Sequence, residues 1–267
     1  DLNPGSFQPL GSQSLVKLNE LAPEQAFESA IYVGDRFDLS SNLSMDLGVR
    51  YSLYNYMGPR SVNLYAPNLP KSESNVIGTA SYKKGEMAKT YHGPELRLSA
   101  RYQLSEDFSV KAGYNTLRQY IHLLTNTTAI SPTDIWKLSD PNIRPQYGDQ
   151  TSLGFYKNFK ENTIETSIEG YFKNLKDYLD YKSGANLILN HHIETDVINT
   201  KGKAYGVEFL VKKLSGKLNG WMGYTYSRTL LKMDDPNAGQ VINGGNYYPA
   251  NYDKPHDFSL VANYRFS

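Results

Sequence analysis

Strict two-residue alternation of apolar and polar side chains, sustained over long runs, is the feature that most constrains what this chain can fold into. Residues 95 to 104 read Glu-Leu-Arg-Leu-Ser-Ala-Arg-Tyr-Gln-Leu, which puts Leu96, Leu98, Ala100, Tyr102 and Leu104 on one parity. Successive side chains on a strand point to opposite faces, so this run predicts a strand with one apolar face. After Ser105-Glu106-Asp107 the pattern resumes in Phe108, Val110, Ala112 and Tyr114. Two strands joined by so short a break predict an antiparallel hairpin. The unit recurs: Ile31 to Leu39 turns through Ser40-Ser41-Asn42 into Leu43 to Leu53, and Leu153 to Phe159 turns through Lys160-Glu161-Asn162 into Ile164 to Phe172. Tyr205 to Val211 turns near Ser215-Gly216-Lys217 into Leu218 to Tyr226, and a ninth strand runs from Phe258 to Phe266. Helical periodicity is nearly absent; only Leu15 to Ala26 could hold a turn of helix.

The connections between hairpins are much longer, covering about residues 57 to 93, 124 to 148, 182 to 198 and 233 to 255. Long and short connections therefore alternate along the chain. A soluble sandwich gives loop length no reason to sort by end, and its strands are usually about 5 or 6 residues long. A transmembrane β-barrel accounts for both features, because a tilted strand needs roughly 9 to 11 residues to cross and the periplasmic turns are short while the outer loops are long. The expected fold class is thus all-β, an antiparallel transmembrane β-barrel with the apolar parity toward lipid and the polar parity lining a wet lumen. Tyr51, Tyr54, Tyr56, Tyr114 and Tyr120, near strand ends, are expected to supply an interfacial aromatic girdle. Asp35 interrupts the apolar parity of the first strand. Nine strands is an odd number, and single-chain bacterial barrels close with even ones. The chain 1–267 is therefore expected to form part of a larger barrel, with the ninth strand pairing on its free edge with residues outside this sequence.

Composition narrows the alternatives. The 267 residues contain no cysteine, which excludes a thiol nucleophile, a cysteine zinc site and iron–sulfur clusters. Lys and Arg number 28 against 27 Asp and Glu, so no global field draws in nucleic acid. No apolar run approaches the roughly 18 residues of a membrane-spanning helix. The rival fold is a secreted or surface all-β adhesin or carbohydrate-binding protein, the same strands closed around a dry core. Positions 96, 98, 100 and 102 hold no charge, as lipid-facing positions require.

Several segments resemble the barrels of TonB-dependent outer-membrane receptors. They are Ala30 to Leu39 with Leu47-Gly48-Val49-Arg50-Tyr51, Pro145 to Gln150 leading into Leu153-Gly154, and Lys203 to Glu208. Gly223-Tyr224-Thr225-Tyr226-Ser227 and Tyr252-Asp253-Lys254-Pro255-His256 complete the set, in order across about residues 25 to 267. The resemblance implies a 22-stranded barrel in the bacterial outer membrane, filled by an N-terminal plug that this sequence does not contain. It implies uptake of a scarce ligand such as an iron chelate, a glycan or a peptide, energised by the TonB complex through the missing plug. It implies no enzymatic activity and no cofactor, contact with outer-membrane lipid, and room for a surface lipoprotein partner.

Candidate ligand contacts are the aromatic and amide side chains of the long loops: Tyr65 and Tyr91 in the first, Trp136 in the second, and Asn243, Asn246, Tyr247 and Tyr248 in the fourth. Aromatic faces stack on sugars, haem-like rings or peptide side chains, and amides direct hydrogen bonds. Packing of loop on loop, or membership of the aromatic girdle, is the alternative for each. His191-His192 with Glu194 and Asp196 has the chemistry of a metal cluster, but adjacent histidines point apart on an extended chain. His256 is expected to hold a loop to the rim rather than act as a base. Asp234-Asp235 and Glu165 with Glu169 cannot flank a scissile bond as a hydrolase pair does. Asn126-Thr127-Thr128 and Asn42-Leu43-Ser44 match the glycosylation pattern, which has no meaning in a bacterial outer membrane.

Overall fold

A computed structural model describes residues 6–7, 19–124, 135–187 and 189–266. Nine long strands run β1 Gln25–Ser40, β2 Leu43–Met57, β3 Met87–Ser105, β4 Phe108–Gln119, β5 Gln146–Phe159, β6 Ile164–Tyr181, β7 Val197–Lys213, β8 Leu218–Met233 and β9 His256–Tyr264. Each pairs antiparallel with the next, and the two-residue strand Tyr248–Pro249 joins β8 beside β9 to complete a ten-stranded sheet. All nine expected strands are present. Among the described residues β1 pairs only with β2 and β9 only with β8, so the barrel is not closed. No helix among the described residues is long and apolar enough to cross a membrane. The expected turn of helix is absent over its described part: Asn19–Glu20 is a short strand, and Pro23 precedes the extended start of β1.

Register turns the alternation into two chemically distinct faces. One cross-strand row reads Leu43, Tyr102, Val110, Phe155, Ile168, Phe209, Tyr224 and Phe258 across eight strands. Its aromatic and aliphatic side chains stand open on the outside of the sheet, Phe155 at 44% and Phe258 at 60% exposure. A row on the opposite face reads Asp38, Ser44, Arg101, Lys111, Gly154, Glu169, Glu208, Thr225 and Asp257. No second sheet covers the apolar face among the described residues, so the dry-core sandwich is not formed. An uncovered apolar face of this extent is the surface that hydrocarbon solvates. Asp35 lies opposite Leu47 on the apolar side, on the edge strand β1.

Two glycines let tyrosine rings lie flat on the polar face. A Cβ on Gly206 would stand 2.6 Å from the Tyr226 carbonyl and 3.0 Å from the Tyr171 ring, and one on Gly154 would meet the Tyr156 ring and Glu169. Tyr156 donates to Glu169 Oε2 at 2.5 Å, which satisfies both groups on the wet side.

The four short turns gather at one end of the sheet and the long connections at the other. Within the long connections, Arg60–Tyr65 pairs with Val76–Tyr82 and Ile121–Leu124 pairs with Ile135–Leu138 as small hairpins. The buried apolar residues lie at this end. Leu124, Ile143, Leu179, Leu187, Ile193 and Val197 form one cluster, and Tyr54, Tyr56, Tyr120 and Leu138 form another. The second cluster corrects the expected girdle. Tyr51 is exposed, but Tyr54 and Tyr56 share the parity of Ser52 and point to the polar face, where the loop covers them to 2% and 1% exposure. Tyr120 stacks on Tyr54 with ring centroids 4.6 Å apart.

Candidate functional site

The second long connection folds back over the polar face and is tied there by buried charge. Lys137, at the end of its small hairpin, donates to Glu24 Oε1 at 2.5 Å and to Asp140 Oδ2 at 2.6 Å. All three are buried. Burial opposes the charge on Lys137, but Asp140 and Glu24 outweigh it and hold the ammonium above the ordinary lysine range. Glu24 also accepts from Tyr56 at 3.1 Å and from the Leu138 N–H at 3.0 Å, and pairs with Arg60 at 3.4 Å. Asp140 accepts from the Asn142 and Ile143 N–H groups at 2.7 and 2.8 Å, which closes a turn. Each carboxylate is thus surrounded by donors, as a buried charge requires.

Tyrosine hydroxyls from the barrel wall complete the attachment. Tyr54 donates to the Ser139 carbonyl and Tyr91 to the Asp140 carbonyl, each at 2.8 Å. His122 lies beneath, with Gln146 Nε2 3.1 Å from its Nδ1 and its Nε2 2.9 Å from Ser139 Oγ. An amide N–H can only donate, so Nδ1 accepts and the proton sits on Nε2. Burial, and then Lys137, push its pKa down to about 4, so the ring is neutral in the folded protein.

The first and third loops lock onto this segment. Tyr65 donates to Glu194 at 2.9 Å, Asn142 to the Asn63 carbonyl at 3.0 Å and Lys71 to the Asn142 carbonyl at 2.6 Å. Between the loops a cleft opens above the polar face, with Arg60, Val62, Trp136, Lys137, Leu187 and His191 on its walls. Trp136 is half exposed there, a free indole face beside fixed cations and amides.

The structure separates the sequence-predicted residues into groups. Trp136 lines the cleft; Tyr65 and Tyr91 stand close by with their hydroxyls engaged. Tyr248 donates to Asp180 Oδ2 at 2.5 Å, and Asn243 donates to the Tyr247 carbonyl. Asn246 is exposed in the same loop. Tyr247 is on the other side of the sheet, its ring 4.9 Å from Lys203 Nζ and 5.7 Å from Lys232 Nζ. Asp196 is engaged by Asn190, and Glu194 by Tyr65 and His192, and no metal-binding group of three such side chains occurs among the described residues. His256 meets Tyr224 at 2.9 Å at the start of β9. Glu165 faces Lys212, and Asp234 holds Lys201. Asn126-Thr127-Thr128 lies outside the described residues.

A meander with one lipid-type face, short turns at one end and folded-in loops at the other matches the family model described as TonB dependent receptor-like, beta-barrel, over residues 3–267. The chain belongs to the TonB-dependent receptor β-barrel family. These barrels sit in the bacterial outer membrane, which fixes the solvent of the apolar face as lipid. Among solved structures, this receptor barrel resembles the ferripyoverdine receptor of Pseudomonas aeruginosa at 17% identity and a TM-score of 0.56, over 95% of this chain and 28% of that one. It also resembles the FrpB iron transporter of Neisseria meningitidis, at 13% identity and a TM-score of 0.57, over 93% of this chain and 32% of the other. The ferric-catecholate import receptor Fiu of E. coli aligns at 15% identity and a TM-score of 0.55, over 91% of this chain and 33% of that one. The receptor barrel thus spans about a third or less of the chains it resembles. No curated protein matches it.

Proposed function

We propose that this chain forms part of the wall and the ligand-gathering mouth of a non-enzymatic outer-membrane importer. The observation that supports this reading best is the inward folding of the second loop. It places Trp136 and a polar cleft over the wet face of the sheet, where a ligand descending into the barrel would first be held. The rest of the receptor would supply the remaining strands, the plug and the contact with the TonB complex. Both free edges, on β1 and β9, agree with this, because each unpaired backbone group in hydrocarbon costs several kcal/mol.

The ligand is a scarce nutrient of the iron chelate, glycan or peptide classes. Trp136 supplies the stacking face, while Tyr65 and Tyr91 serve by holding the loops; Tyr248, Asn243 and Asn246 form a second, more peripheral wall. A surface lipoprotein closing over these loops is compatible with the same geometry. The test is uptake by whole cells carrying the full-length receptor. Ferric siderophores, oligosaccharides and peptides are supplied in turn as sole source of iron or carbon, with and without TonB. One class should require both the receptor and TonB, and Trp136→Ala should weaken binding of that ligand about tenfold, the scale of one lost aromatic contact. Growth on every class independent of the receptor would refute the assignment.

A further inference from the structure

Above the apolar band, the outward face of β7 and β8 changes character. Val207 and Tyr205 belong to the lipid-facing rows, and two residues farther along the same parity stands Lys203, then Lys201. On β8 the same face carries Lys232, opposite Lys201. Tyr247 lies between these side chains, 4.9 Å from Lys203 Nζ and 5.7 Å from Lys232 Nζ. Lys201 is held by Asp234 at 2.8 Å, but Lys203 and Lys232 form no ion pair among the described residues. A strand rises about 3.3 Å per residue, so Lys203 and Lys232 stand roughly 7 and 13 Å along the strands past the row of Tyr205 and Arg228, with Leu230 opposite Lys203, where the apolar band gives way to headgroup depth. Because they share the lipid-facing parity, they do not face the import path.

Directly below them the apolar face has a notch. Gly170 occupies the outward position between Leu153 and Val207, with Phe172 and Tyr205 in the row above and Phe155 and Ile168 in the row below. Nothing but the Gly206 carbonyl, at 3.9 Å, approaches the place where its Cβ would be, so the notch is open at Gly170.

We infer that this surface binds one phosphate-bearing lipid of the outer leaflet. Its headgroup phosphate lies between Lys203 and Lys232, and an acyl chain lies in the Gly170 trough. Charge complementarity selects an anion. Continuity of the cations with the apolar trough selects a lipid over a soluble anion, and the Tyr247 ring, flanked by both ammoniums, holds them apart for the phosphate oxygens. The inference rests on the lipid-facing reading of the apolar parity and not on the identity of the imported ligand.

The test uses the full-length receptor in zwitterionic detergent, with phosphatidic acid and phosphatidylcholine as probes and native mass spectrometry to measure each affinity. Wild type should prefer phosphatidic acid, and the preference should fall with added salt. Each lysine near an anionic headgroup contributes about fivefold, so Lys203→Gln with Lys232→Gln should lower phosphatidic acid affinity roughly 25-fold and leave phosphatidylcholine unchanged. Equal affinity of wild type for both lipids would overturn the inference, and this comparison stands even if the double variant fails to assemble. Displacement of phosphatidic acid by inorganic phosphate at equal concentration would also overturn it, marking a soluble-anion site. Loss of binding to both lipids alike would point instead to failure of the lipid-facing assignment.

Discussion

Replacing Lys137 by Met should release the second loop from the barrel mouth. The ammonium is 6% exposed as a residue and holds two carboxylates, Glu24 at 2.5 Å and Asp140 at 2.6 Å. Removing one partner of a buried ion pair costs about 3 to 5 kcal/mol, because the charge left behind is uncompensated. Here the lower end applies. Glu24 would keep Arg60, the Tyr56 hydroxyl and the Leu138 N–H, and Asp140 would keep two backbone N–H groups. A loss of about 3 kcal/mol corresponds to local opening roughly a hundredfold more frequent. Hydrogen exchange at the Leu138, Asn142 and Ile143 amides in the full-length receptor reads this directly. The triple variant Glu24→Gln, Lys137→Met, Asp140→Asn removes all three charges and should regain most of the protection. Exchange in the single variant within about threefold of wild type, or a triple variant no better than the single, would refute the reasoning.

The same segment should respond to acid through His122. Its folded pKa is depressed to about 4, so the opened state takes up a proton first; stability is full above about pH 6.5 and is lost as the pH falls toward 4, by about 3 kcal/mol in all. Protease sensitivity of the hairpin should rise across that window, and His122→Asn should flatten the profile. Leu98→Arg places a charge on the lipid side and should impair barrel assembly by about 2 to 4 kcal/mol at mid-membrane, whereas Arg97→Leu on the opposite parity should assemble; gel mobility of unheated samples distinguishes the two. Gly206→Ala should lower the urea midpoint by an amount equivalent to about 1 to 3 kcal/mol, since its Cβ would press on the Tyr226 carbonyl and the Tyr171 ring; an unchanged midpoint would mean that the backbone yields freely there.

The strands were legible because one physical demand, an apolar outer face, writes itself at period two. Their ends were not. β6 continues to Tyr181 although its alternation stops at Phe172, and β3 begins at Met87, well before Leu96. Beyond the hydrocarbon the outward face no longer needs apolar residues, so Thr90, Asn174 and Lys203 take those positions while the backbone ladder runs on. The site was less legible still. Trp136 could be singled out as an aromatic in a long loop, but its support comes from partners far apart in the chain. Glu24 and Lys137 are 113 residues apart, and Tyr65 and Glu194 are 129 apart. No local pattern encodes such pairs; they exist only once the meander has brought four loops to one end.

Parity still decides roles where hydrophobicity no longer marks it. Tyr247 and Tyr248 are chemically identical neighbours in the fourth loop, and read from composition alone they form one candidate site. The Tyr248–Pro249 strand pairs with β8 so that Tyr248 sits opposite Leu231, a side chain buried on the inner face, and its hydroxyl reaches Asp180. Burial and the Asp180 carboxylate together raise its pKa, which keeps the phenol a donor and the loop closed. One residue earlier the side chain must point the other way, and Tyr247 meets the lysines of the outer face instead. A substitution at Tyr248 should therefore disturb the mouth, and one at Tyr247 the contact with lipid, although a single peptide bond separates them.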